Sequence, residues 1–180
     1  MFMTSKKIAL DTPLKLALAA IFGALATVVT VSFAIPIPAT SGYFNFGEAI
    51  VYTAALVFGP FVGGFTGGSI AIADMLVPGA AQFAPGTLVI KGLEGLIVGF
   101  LNRKLQKHTS SLGLSAAISV VVGGLEMVAG YFIYEQLVLG YSMPVALVEV
   151  PFNIVQMIVG LIVAVPIMYV ILRVFPQLKR

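Results

Sequence analysis

Residues 87–103, TLVIKGLEGLIVGFLNR, read as a membrane-spanning helix that carries two charges inside its apolar run. Lys91 and Glu94 stand three apart, so they project to one side of a helix. A charge at that depth costs about 2.5–3.5 kcal/mol on insertion scales and belongs where a helix faces a polar cavity, not lipid. Gly92, Gly95 and Gly99 let neighbouring helices approach closely. The question for the remaining chain is which groups share that cavity.

The composition places the whole chain in the membrane. Of 180 residues, 59% are hydrophobic and 9% charged, whereas soluble domains run about 25% charged. At about 20 residues per span, six helices fit with short loops and no sizeable soluble domain. The expected fold is therefore an all-α integral membrane protein, one transmembrane domain over residues 1–180. Its helices are expected near residues 14–34, 44–58, 61–77, 87–103, 114–139 and 144–174. Lys6, Lys7 and Lys15 ahead of an apolar run look superficially like a signal peptide, but that run is too long and is expected to stay as the first span. The net charge of +3 does not suggest nucleic acid, because the basic residues cluster at helix ends. With no cysteine, thiol catalysis and disulfides are excluded, and with one histidine (His108) no His/Cys metal cluster is possible. No metal or cofactor is expected.

Breakers divide the chain. Residues 35–42, IPIPATSG, cannot be helix and read as an uncharged loop, either a lid or a mere connection. Gly59-Pro60 makes a sharp turn. Residues 78–86, PGAAQFAPG, form a second uncharged loop. The third helix carries Gly63, Gly64, Gly67 and Gly68, two overlapping GxxxG patterns. The first helix holds Ala20-Ile-Phe-Gly-Ala24, with Ala19 and Gly23 beside it, a pattern that suits packing within the chain or against a partner.

Six spans put Lys6, Lys7, Lys15, Arg103, Lys104, Lys107, Arg173, Lys179 and Arg180 on one side, which is every basic residue except Lys91. By the positive-inside rule that side, with both termini, is cytoplasmic. Merging the second and third helices would flip three of these charges outside, so the Gly59-Pro60 turn is required. Six of the seven acidic residues then fall in the outer half or near the midplane. This asymmetry describes a polar cavity open outward above an apolar floor. The candidates for it are Asn45, Glu48, Asp74, Lys91, Glu94, Glu126, Glu149, Asn153, Gln156 and the tyrosines near the mouth, Tyr131 among them. Glu126, Gly130 and Tyr134 share one face of the fifth helix, while Glu135 is expected at the rim. Glu149, Asn153 and Gln156 form a stripe on the sixth.

A through-channel needs polar lining on both sides of the midplane, and a hydrolase needs a nucleophile and base or metal ligands; neither is present. A binding pocket fits best, since lysine and amides donate while carboxylates accept. Structural roles stand beside this reading: Lys91 can pair with Glu94 or Glu126, Glu48 and Asp74 suit helix ends, and Asn153 can join helices.

The segments 43–49 (YFNFGEA), 58–64 (FGPFVGG), 73–74 (AD) and 90–95 (IKGLEG), in this order and spacing, are similar to the riboflavin-type branch of the substrate-binding S components of energy-coupling factor (ECF) transporters, a branch with hydroxymethylpyrimidine-type members. The likeness covers residues 14–107 by motif and the rest by topology. It implies an uptake subunit for a water-soluble vitamin or precursor, with riboflavin slightly favoured over hydroxymethylpyrimidine-, thiamine- or pyridoxine-like compounds. It also implies a prokaryotic plasma membrane, a transmembrane coupling subunit and two cytoplasmic ATPases, this chain itself being no enzyme. The coupling subunit would dock on Ala20 and Ala24, with Ala17. A stand-alone ion-coupled carrier and a non-transporting scaffold subunit are the alternatives.

Overall fold

Asp11 accepts a hydrogen bond from Leu14 N (3.1 Å) and Pro13 follows, so the first helix, α1 (Thr12–Ser32), has both a cap and a proline start. The computed structural model describes residues 11–178; Lys6, Lys7, Lys179 and Arg180, used above for orientation, lie outside them. The segment after α1 corrects the all-helical expectation. Two short strands, β1 (Ile35–Ile37) and β2 (Gly42–Phe44), pair antiparallel with Pro36 opposite Tyr43. Prolines that forbid helix are compatible with such an edge ribbon, because their missing N–H is not called on there. Ser41 takes the left-handed conformation in the turn (φ 63°).

The hairpin delays the next helix, so α2 (Gly47–Phe58) begins later than residue 44 and has 12 residues. Every residue of α2 except Ile50 is buried, which makes it the centre of the bundle. Gly59, at φ 95°, turns the chain into α3 (Pro60–Leu76). The carbonyls left free at the end of α2 are taken from α4: Asn102 Nδ2 donates to Leu56 O (3.2 Å) and Arg103 Nη2 to Phe58 O (2.7 Å). A single turn at Ala81–Phe83 leads into α4 (Ala84–Leu105), which starts three residues earlier than expected. α5 (Leu112–Leu137) and α6 (Met143–Val174) complete the bundle, and α6 runs through Pro151 and Pro166.

Among the described residues, four helical stretches are long and apolar enough to cross a membrane: α1, Ala81–Leu105, α5 and α6. At 1.5 Å per residue, α2 is only about 18 Å long, consistent with its sheltered position. Leu16, Ile21, Val28, Phe100, Ile162 and Val170 are among the large apolar side chains on the outside, as lipid contact requires.

Glycine sets the spacing of α3 and α4. A Cβ at Gly67 would land on the Lys91 carbonyl, and one at Gly63 would stand 2.7 Å from Gly95 O. Gly92, in the same contact, has 3.7 Å to its nearest neighbour. Gly67→Ala is therefore expected to cost about 1–3 kcal/mol by overpacking, while Gly92→Ala is tolerated. Thermal unfolding in detergent followed by circular dichroism should separate them; equal melting temperatures would contradict this packing. On α1, Ala19 and Gly23 are buried against the bundle, with Ser69 Oγ donating to Gly23 O (3.0 Å). Ala17, Ala20 and Ala24 face outward.

Candidate binding site

The hairpin lies over the end of the bundle where α2, α4 and α6 begin. Its turn is held from both flanks. Thr40 Oγ1 donates to Glu149 of α6, and Tyr141 OH, from the α5–α6 connection, donates to Thr40 O. Tyr43 OH donates to Asp74 Oδ1 near the end of α3. Burial, and secondarily the Asp74 charge and this hydrogen bond, push the Tyr43 phenol above its ordinary range, so it remains a donor. Gly42 leaves room that a Cβ would take from the Glu149 carboxylate.

Beneath the hairpin, amides join α6 to the entrance of α2. Gln156 Oε1 accepts from Asn45 N (2.7 Å) and Asn45 Nδ2 (2.9 Å), and Gln156 Nε2 donates to Asn153 Oδ1 (3.3 Å). Asn45 Oδ1 accepts from Gly47 N (2.8 Å) and thereby supports the first turn of α2. Lys91 forms an ion pair with Glu48, and both are almost wholly buried. Its ammonium is 5.6 Å from the centre of the Tyr131 ring, whose hydroxyl bonds Thr87 Oγ1 (2.8 Å). This replaces the expected pairing of Lys91 with Glu94 or Glu126. Glu94 instead accepts from Tyr52 OH of α2 (2.5 Å).

Between lid and floor is a small cavity of about 30 Å³, below the usual range for small-molecule sites, so a ligand must widen it to enter. Seven expected residues line it: Asn45, Asp74, Lys91, Tyr131, Glu149, Asn153 and Gln156. Three do not. Glu48 lies behind Lys91, Glu94 is turned to Tyr52, and Glu126 is half-buried away from the cavity. The buried side of the fifth helix carries Met127, the expected Tyr131 and Glu135, while the face shared by Glu126, Gly130 and Tyr134 is only partly covered. Glu135 is accordingly not at the rim. It is 1% exposed and lines the cavity with Tyr43, Phe83 and Thr87. Its i, i+4 relation to Tyr131 was the signal that could have found it. Nothing in the spacing of Tyr43 pointed to Asp74.

A family model described as "ECF-type riboflavin transporter, S component" matches residues 11–173. A relative from Pyrococcus woesei, described as an uncharacterized protein in a gap 3' region, is 40% identical over 146 residues, 81% of this chain and 93% of that one. The thiamine precursor transporter HmpT of Lactococcus lactis subsp. cremoris (strain MG1363) is 33% identical over 151 residues, 83% of this chain and 82% of HmpT. Two solved structures share the fold. One, described as the S component of a bacterial ECF transporter, has a TM-score of 0.66 at 21% identity over 94% of this chain and 100% of its own. The other, the S component for biotin from an ECF-type ABC transporter, has a TM-score of 0.68 at 16% identity over 90% of this chain and 94% of its own.

Proposed function

The chain belongs to the family of ECF-type riboflavin transporter S components, and from that premise we propose that it captures a water-soluble vitamin or vitamin precursor for uptake. The observation that carries this reading is the polar cavity closed by a hydrogen-bonded hairpin at one end of an apolar bundle. Such a site binds and releases; it offers no nucleophile–base pair for chemistry. Riboflavin is the compound in the family description, and a thiamine precursor is the compound in the description of HmpT.

In this reading all six helices span a prokaryotic plasma membrane as one domain, with both termini in the cytoplasm. Support comes from Arg103, Lys104, Lys107 and Arg173, which gather where α4 and α6 end. A transmembrane coupling subunit and two ATP-binding subunits supply the energy. The coupling subunit docks along α1, where Ala20 and Ala24 open onto an apolar groove against Phe65, Ile72 and Met75 of α3. Ala17 extends the same exposed face by one turn. Ala20→Leu with Ala24→Leu is expected to abolish co-purification with the coupling subunit and to leave ligand binding unchanged; intact assembly would remove this docking surface.

The test of the function is native mass spectrometry with absorbance on gently purified protein, followed by a vitamin panel. A bound compound of vitamin mass, yellow if a flavin, is expected. An empty protein that binds no vitamin, or substrate flux in liposomes holding this chain alone, would overturn the proposal.

A further inference from the structure

The hydrogen-bond inventory of the cavity is unbalanced. Three carboxyl groups line it: Asp74, Glu135 and Glu149. One cation lines it, Lys91, and Glu48 already neutralises that ammonium from behind. Gln156 spends its carbonyl on Asn45 and one of its two amide N–H groups on Asn153, and the Tyr131 hydroxyl is engaged with Thr87. Glu135 is 1% exposed and Asp74 3%, yet among the described residues no donor reaches Glu135 Oε2 or Asp74 Oδ2. Buried carboxylate oxygens without donors are costly, and a ligand that supplies N–H groups or positive charge relieves that cost. Tyr43, Phe83 and Tyr131 add aromatic walls, which suit a planar ring.

We infer that the cavity selects a small planar nitrogen heterocycle bearing an amine or a protonatable ring nitrogen, with Glu135 and Asp74 as the residues that determine this specificity. This rests on the uptake reading above. It adds two exclusions. A neutral flavin brings an imide N–H and ribityl hydroxyls but no positive charge to a site lined by three carboxyl groups. A phosphate ester meets carboxylates with no uncommitted cation among the lining residues, and like charges in one enclosed site repel.

Calorimetric titration of the full chain in detergent tests this with four probes: the aminopyrimidine alcohol that forms half of thiamine, its oxo counterpart lacking the amine, its phosphate ester, and riboflavin. A hydrogen bond to a charged group corresponds to roughly 10- to 100-fold in affinity, so the amine is expected to bind tighter than the oxo compound by about that factor. The phosphate ester and riboflavin should bind at least about 100-fold more weakly than the amine if charge decides. Glu135→Gln keeps the shape and should remove most of the preference for amine over oxo compound, a readout that a purely structural role would not move. A circular dichroism melt identical to that of the parent accompanies this result. Tight binding of riboflavin, equal affinity for amine and oxo compounds, or tight binding of the phosphate ester would overturn the inference. Tight riboflavin binding would leave the uptake reading standing; binding of none of the four, nor of any other vitamin, would overturn both.

Discussion

Lys91→Met is expected to leave little folded protein. The substitution strands Glu48, 1% exposed at the start of the central helix, without its counter-ion. Removing one partner of a buried ion pair costs about 3–5 kcal/mol, because the remaining charge stays desolvated. That is a large part of the stability of an ordinary domain. Replacing both, as Lys91→Met with Glu48→Leu, removes the stranded charge, and the double variant should recover much of the loss. Yield and the circular dichroism melt in detergent measure this directly. A Lys91→Met protein that melts like the parent but no longer binds ligand would mean that Lys91 serves the ligand and not the bundle.

Glu149→Leu is expected to weaken ligand binding by about 100-fold or more, close to 3 kcal/mol. Two effects add. The carboxylate lines the cavity, and it also holds the turn of the hairpin through Thr40. Without it the lid keeps the Tyr43–Asp74 and Tyr141–Thr40 contacts but loses its tie to α6. Glu149→Gln retains an acceptor for Thr40 and should lose about tenfold, since only the charge-assisted part of the contacts disappears. Titration gives the affinities, and hydrogen exchange of residues 35–44 reports the lid. Binding equal to the parent in Glu149→Leu, with faster exchange in the hairpin, would show that closure of the lid does not contribute to affinity.

The α6 stripe was legible because three polar residues at helical spacing in an apolar helix have one physical outlet: Glu149, Asn153 and Gln156 all reach the cavity. The same logic misled on α5. Glu126 and Glu135 are each a single carboxylate on an amphipathically featureless helix, and periodicity there does not say which side faces inward. Glycine at 123 and 124 marks the true contact face, with Val98 beside the one and Met157 beside the other. The hairpin escaped the sequence because three-residue strands are too short to show alternation.

The sequence by itself determined the membrane environment, the breaks between helices and the confinement of acidic groups to one end, since these follow from the cost of burying charge and from prolines and glycines that no tertiary context overrides. Only the tertiary structure decided which charges pair and which face the ligand. Lys91 chooses Glu48, 43 positions away, over the nearby Glu94, because the choice depends on how α2 docks against α4. That docking rests on contacts between residues far apart in the chain, such as Asn102 and Arg103 on the carbonyls that end α2 and Tyr52 on Glu94, which carry no signature in local spacing.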